Sequence, residues 1–325
     1  MAFSAAVGYV VDGRSAIMNR DDHLESTQPA RAEKACVIHG IAVPAPPLAA
    51  GLYIVATPIG NLGDVTLRAL MILAAADAIL AEDTRVSRIL LARYGIDTPL
   101  SPYHEHNAAE ARPRALKRIA EGQALALISD AGTPLVSDPG YKLVAEAVAA
   151  GFAVTSAPGA SAALAALCVA GLPTGRFFFE GFLPSRSAAR RARINALAGV
   201  PATLVFYESP MRLAEQLADL AAELGPRPAA VARELTKLHE EVRRGTLDAL
   251  AAAFAAGEPP RGEIVVVVGP PEAREAVNER ALDEEIREAL QTLSVRDAAA
   301  AVAAKHGLPR RKIYARALAL AGEVR

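Results

Sequence analysis

From residue 51 onward, short apolar runs alternate with longer stretches in which apolar positions recur every third or fourth residue. The first pattern belongs to buried strands and the second to amphipathic helices. The alternation predicts strands at 52–56, 78–81, 124–128 and 153–156, with helices at 66–75, 86–94, 108–121 and 141–150. Strands and helices in regular succession mean a mostly parallel sheet. A second series follows, with helices at 160–170, 188–197, 211–224 and 247–256 and strands at 177–180, 202–207, 229–232 and 263–268. Gly171-Leu-Pro-Thr-Gly175 separates the two series, so the chain reads as two α/β domains, 51–172 and 173–271, with a cleft between them.

Outside this region the pattern differs. Residues 1–50 show no sustained periodicity and end in a Pro/Ala-rich stretch, which predicts a mobile extension with no catalytic role and leaves Met18 as a second candidate initiator. Residues 272–325 are helical: 283–293 is acidic, whereas 294–325 carries seven Lys/Arg against two Asp/Glu. Two helices, 295–306 and 310–321, flank Gly307-Leu-Pro309, with Ser294 as the N-cap of the first. That layout fits a helix-turn-helix facing nucleic acid or a helical hairpin capping the second domain.

Composition narrows the class. With 325 residues, 52% of them hydrophobic, there is chain enough for two cored domains. The formal charge of −1 leaves any anionic partner to local basic patches. Cys36 and Cys168 lack metal or redox spacing, which suits a reducing cytoplasm. No run is long and uncharged enough to span a bilayer, and residues 2–11 lack the basic start of a signal peptide. Walker loops, Gly-x-Ser-x-Gly elbows and spaced Cys/His zinc sets are missing from the sequence, which weakens NTPase and hydrolase readings.

Candidate chemistry gathers after the strands. Ser129-Asp-Ala-Gly-Thr-Pro-Leu-Val-Ser-Asp-Pro-Gly140 follows the run 124–128 and brings backbone N–H groups and short polar side chains to the carboxyl edge of a parallel sheet, where α/β proteins bind ligands. Thr57-Pro-Ile-Gly-Asn-Leu-Gly-Asp64 occupies the position of a dinucleotide turn without its glycine pattern, and Pro58 removes a backbone donor. Glu82-Asp-Thr-Arg85 serves either as a helix N-terminus or as a substrate contact. Tyr103-His-Glu-His-Asn107 is a dense polar loop in which no third metal ligand is identifiable, so no metal site is expected. Ala157-Pro-Gly-Ala-Ser-Ala162 precedes a helix, and Phe206-Tyr-Glu-Ser-Pro210 and Arg233–Glu241 follow strands of the second series. The basic run around Arg190 and Arg191 is a solvated helix face or a phosphate contact.

Seven motifs in order, namely 54–64, 82–85, 129–140, 158–162, Gly181-Phe-Leu-Pro184, 206–210 and 233–241, resemble the tetrapyrrole-methylase-type, or class III, methyltransferases. Within them, the chain is most similar to the ribosomal small-subunit RNA methyltransferase I family. The resemblance runs from Gly51 through Gly269, and the C-terminal helices look like that family's helix-turn-helix appendage. It implies a tetrapyrrole methylase-like fold and S-adenosyl-L-methionine-dependent 2′-O-methylation of a cytidine ribose in 16S rRNA, free or within the small ribosomal subunit, by a cytoplasmic homodimer. Donor binding would fall to Pro58, Asp130, Ala131, Gly132, Thr133, Pro134, Ser161, Ala162, Ala232 and Leu235. Phosphate contact would fall to Arg190, Arg191, Arg310, Arg311 and Lys312. The reaction needs a base, with Glu82, Asp83, His104, His106 and Glu234 as candidates among which sequence does not choose. Tetrapyrrole (precorrin-type) methylation and non-catalytic nucleotide or RNA binding are the alternatives.

Overall fold

The computed structural model describes residues 34–272, 279–306 and 309–323. The predicted extension therefore lies outside the described residues over 1–33, and so do Gly307 and Leu308 of the predicted C-terminal turn.

Residues 34–50 are not the mobile linker that their lack of periodicity predicted. Strands β1 (Ala35–Ile38) and β2 (Ile41–Pro44) pair as an antiparallel hairpin. His39 and Gly40 both have positive φ, 49° and 81°, as a tight hairpin turn requires. Cys36 is fully buried in the first domain's core, and the Val37 N–H donates to the Tyr94 carbonyl at 2.7 Å. Lys34 Nζ donates to the carbonyls of Ala75 and Ala76 at 2.8 and 2.6 Å, satisfying acceptors at a helix end. Strands of four residues are too short to show a readable period.

The first sheet is built from β3 (Gly51–Val55), α1 (Leu67–Ala75), β4 (Ala78–Ala81), α2 (Thr84–Arg93), β5 (Leu100–Pro102), α3 (Ala108–Ala120), β6 (Ala124–Ile128), α4 (Tyr141–Ala149) and β7 (Val154–Ala157). Its order is β5-β4-β6-β3-β7 and every pair is parallel. Strands β4 and β6 are buried on both faces. Their period of two splits the side chains: Ile79, Ala81, Ala126 and Ile128 pack with α1 and α2, while Ala78, Leu80, Leu125 and Leu127 pack with α3 and α4. The helix after β3 thus covers one face and the helix after the neighbouring β6 covers the other. That divergence opens a crevice at the carboxyl ends of β3 and β6.

After α5 (Ala162–Val169), the second sheet uses β8 (Phe177–Phe182), α6 (Ser187–Leu197), β9 (Thr203–Glu208), α7 (Leu213–Leu224), β10 (Pro228–Arg233), β11 (Glu241–Thr246), α8 (Leu247–Ala255) and β12 (Ile264–Val268). Its order is β11-β10-β12-β9-β8, and here only β8 and β9 are parallel. Because β12 runs antiparallel between β9 and β10, its amino end meets their carboxyl ends at one edge. Helices α6, α7 and α8 cover one face, and α5 with Ile59 of the loop after β3 covers the other. Within these two sheets, two strands escaped sequence prediction, and both are edge strands: the three-residue β5 and the charged β11, whose exposed arginines suit an unpaired edge.

Helices α9 (Glu279–Leu290), α10 (Val295–His306) and α11 (Arg310–Glu323) enclose a core of their own, including Ile286, Val302, Ile313 and Leu320. Ser294 caps α10 as expected, accepting from the Asp297 N–H at 3.3 Å. Arg316 pairs with Asp283 and His306 with Glu285, tying α10 and α11 to α9.

Candidate functional site

Three loops at the carboxyl edge of the first sheet are stitched together before any ligand is considered. Thr57 and Gly132 exchange backbone hydrogen bonds at 2.9 and 3.1 Å, joining the loops after β3 and β6. Thr57 Oγ1 donates to the Ser129 carbonyl at 3.1 Å, and Thr133 Oγ1 donates to Ala160 at 3.0 Å, which adds the loop before α5. Gly132 has φ of +84°, and a Cβ there would lie 3.2 Å from Ile59 Cγ2, so both conformation and space call for glycine. Ser161 caps α5 through the Leu164 N–H at 3.5 Å.

These loops face the converging edge of the second sheet across a cavity of about 390 Å³, a volume suited to a small molecule. Ala131, Gly132, Thr133, Ser161 and Ala162 line it from one side, and Ala232 and Leu235 from the other. Pro58 and Asp130 instead line an adjoining cavity of about 210 Å³, which shares Ile59, Ala131 and Glu263 with the first. Pro134 is buried and lines neither.

The five candidate bases stand in very different fields. Asp83 caps α2 and is gripped by Arg85 at 2.6 Å, which holds its carboxyl at about 2. Glu234 accepts from Lys237 Nζ at 2.8 Å and the Glu263 N–H at 2.9 Å, which lowers it. Glu82 is raised by burial and then by Asp130, while His104 opposes the shift. His104 and His106 meet edge to face with ring centroids 6.1 Å apart, and His104 Nδ1 is a buried atom with no hydrogen-bond partner. None of Glu82, Asp83, His104, His106 and Glu234 lines either cavity.

Residues that sequence reasoning passed over do line the larger one. Asp138 lines it beside Tyr207, and so does Glu208, whose side chain is wholly buried and paired with Arg212. Burial first, then Glu82 and Asp130, push Asp138 up to about 6, against a hydrogen bond from Ser129. Both carboxylates lay inside the quoted loops, and Asp138 opens an Asp-Pro-Gly sequence that marks a ligand loop as well as a turn. Asp130 takes a tying role: its Oδ1 accepts from the Asp83 N–H at 2.9 Å.

The basic candidates divide sharply. Arg190 is 1% exposed, with Nε 2.7 Å from Asp219, and so is a core ion pair and not a phosphate contact. The run looked solvated in sequence because Asp219 lies on α7, a helix away. Arg191 is half-exposed and paired to Glu223 at 2.7 Å. Arg310, Arg311 and Lys312 stand exposed on the first turn of α11.

Comparison with known proteins agrees with this architecture. The family profile described as Tetrapyrrole (Corrin/Porphyrin) Methylases matches residues 51–251, and the RsmI C-terminal HTH domain profile matches residues 276–321. A ribosomal RNA small subunit methyltransferase I of Mesorhizobium japonicum is 59% identical over 71% of this chain and 79% of its own length. The protein of that name from Pseudomonas aeruginosa is 45% identical over 84% of this chain and 98% of its own. Among solved structures, the methyltransferase CobJ aligns with a TM-score of 0.52 at 24% identity, covering 68% of this chain and 94% of that one. Diphthine synthase aligns at 0.54 and 17%, covering 67% and 89%; at such identities the likeness is one of fold. The paired α/β sheets, the loop-lined cavity between them and the helical appendage, matched along most of their length, place this chain in the ribosomal RNA small subunit methyltransferase I family of the tetrapyrrole-methylase fold.

Proposed function

We propose that the protein transfers a methyl group from S-adenosyl-L-methionine to the 2′-oxygen of a cytidine ribose in 16S rRNA. The observation that carries this reading is the union, in one chain, of a cavity sized for a small donor and a separately cored helical unit with exposed Arg310, Arg311 and Lys312. A tetrapyrrole acceptor has no use for the second part, and likeness to such enzymes extends to fold alone.

The lining residues fit the donor. Ile59, Leu235, Ile264 and Val265 offer apolar walls for adenine and methylene carbons, and Thr133 and Ser161 offer hydroxyls. When bound, that group supplies an electrophilic methyl carbon. The protein's part is to hold the acceptor oxygen in line with it, since positioning of this kind is worth up to about 7–11 kcal/mol of a barrier. Ala131–Pro134 and the stitched Thr57–Gly132 bridge hold one wall rigid, and β9, β10 and β12 hold the other.

The chain works as a cytoplasmic homodimer in this reading. Support comes from β8, an edge strand whose Phe177 and Phe178 are 45% and 37% exposed, an apolar edge of the kind a second chain covers. No helix among the described residues is long and apolar enough to cross a membrane. The deciding experiment incubates the protein with methyl-labelled donor and either free 16S rRNA or small subunits from cells lacking the gene, then maps ribose methylation. Label in a cytidine 2′-O-methyl group is expected; no label in RNA, with label in a tetrapyrrole, would overturn the reading.

A further inference from the structure

We propose that Asp138 is the base that takes the ribose hydroxyl proton during methyl transfer, an inference that rests on the function proposed above. Three acidic residues line the larger cavity, Asp138, Glu208 and Glu263, and the Glu208 side chain is wholly buried. Glu208 and Glu263 each have a cation beside them. Glu208 lies 3.3 Å from Arg212 and accepts from the Ser209 N–H at 2.7 Å, and Glu263 lies 3.2 Å from Lys237. Asp138 has no Lys or Arg ion pair among the described residues; the groups around it are Glu82, Asp130, the Ser129 hydroxyl and, from the opposite sheet, the Tyr207 phenol. Burial first, and then the acids Glu82 and Asp130, push Asp138 up to about 6, so that it is still ionised at neutral pH but far more basic than the capping Asp83, held at about 2.

The backbone holds this group in place at a conformational cost. Leu135 and Ser137 both adopt left-handed conformations, with φ of 75° and 68°, which non-glycine residues rarely do. Gly140 closes the loop at φ of +129°, where a Cβ would come within 2.8 Å of Leu127 Cδ2. Ser137 Oγ lies only 3.0 Å from where a Cβ on Gly181 would be, so the loop presses against the bulge of β8. Asp138 is thereby set between the sheets, lining the larger cavity and within electrostatic reach of Asp130, which lines the smaller.

In the step, the hydroxyl oxygen forms a bond to the methyl carbon as the carbon–sulfur bond breaks. The pair of that bond returns to sulfur and quenches the sulfonium charge, while the hydroxyl proton passes to the Asp138 carboxylate and from there to water. Atoms and charge balance with the donor and RNA as the only reactants.

The test uses the full chain with Asp138→Asn and Asp138→Glu. In Asp138→Asn, single-turnover methylation of the RNA should fall by about 10²–10⁴, the usual worth of a positioned base. Donor affinity by calorimetry should hold. The wild-type kcat/KM should rise with pH through about 6 and then level, and that limb should vanish in the Asn variant while the Glu variant keeps it at a lower plateau. Independently of turnover, carbon-13 carboxyl NMR of the donor-free protein should show one aspartate titrating at about 6 that is missing in Asp138→Asn. An Asn variant with undiminished rate and an unchanged limb overturns the proposal, as does loss of donor binding in that variant, which would make Asp138 a donor contact. Failure of the wild type to methylate RNA despite binding donor instead refutes the function on which the proposal rests.

Discussion

Arg190 offers the sharpest test of reading a charge from structure instead of from its place in a basic run. Its guanidinium makes three contacts: Asp219 at 2.7 Å, the Ser185 carbonyl at 3.2 Å and Glu215 at 3.4 Å. The Glu215 side chain is 71% exposed, so that contact is screened and contributes little. The Asp219 side chain is 14% exposed, and without Arg190 it would keep only the Ser187 hydroxyl at 3.1 Å. Removing one partner of a buried pair costs about 3–5 kcal/mol, and the surviving hydroxyl puts Arg190→Ala near the lower end, about 3 kcal/mol. Against a total stability on the order of 5–15 kcal/mol, that is a large loss. Urea unfolding monitored by circular dichroism measures it, and replacing the pair together, as Arg190→Met with Asp219→Leu, should restore most of the loss. The salt dependence of rRNA binding by the folded variant should be unchanged, whereas losing a phosphate contact would flatten the log–log slope by about 0.7–0.9. A stability change under about 1 kcal/mol together with a flatter slope would return Arg190 to the RNA interface.

Asp138 also makes a prediction about stability. Its value in the fold is raised from 3.8 to about 6, so its contribution is fully present below 3.8 and is lost as pH rises through about 6. Asp138→Asn should therefore gain on wild type across that window, seen as a pH-dependent difference in urea midpoints; a pH-independent difference would contradict it. Gly132→Ala forces an L-residue to φ of +84° with its Cβ against Ile59, and should cost about 1–2 kcal/mol while weakening donor affinity in calorimetry. If affinity is untouched, the 57–132 bridge is not part of the binding wall. Replacing Arg310, Arg311 and Lys312 together with Ala should weaken rRNA binding and reduce its salt slope by up to about 2, at about 0.7 per single-strand phosphate lost. Unchanged binding at every salt concentration would make α11 a solvated surface.

Much of the architecture was legible before any coordinates because its signals are local. The apolar runs at 78–81 and 124–128 coincide with β4 and β6, and 295–306 coincides with α10, since a buried strand or an amphipathic helix declares its period within its own residues. The loop 129–140 could be singled out as a candidate ligand loop because its backbone N–H groups and short polar side chains follow a buried strand at the carboxyl edge of a parallel sheet. The edge strands β5 and β11 and the hairpin β1–β2 were not legible: each is short or charged, and each is a strand only because a neighbour pairs with it.

Pairings between distant residues belong to tertiary structure alone. Sequence order predicted two α/β series, but only folding inserted β12 antiparallel between β9 and β10, and that insertion brings Glu263 and Ile264 to the edge where Tyr207 and Leu235 meet. The same holds for charge. Nothing near Arg190 in sequence announces Asp219, twenty-nine residues on, and nothing near Asp138 announces that Arg212 and Lys237 would pair with Glu208 and Glu263. Hydrophobic period and turn chemistry are written residue by residue, whereas the field at a carboxylate is a sum over neighbours that the chain gathers only when it folds.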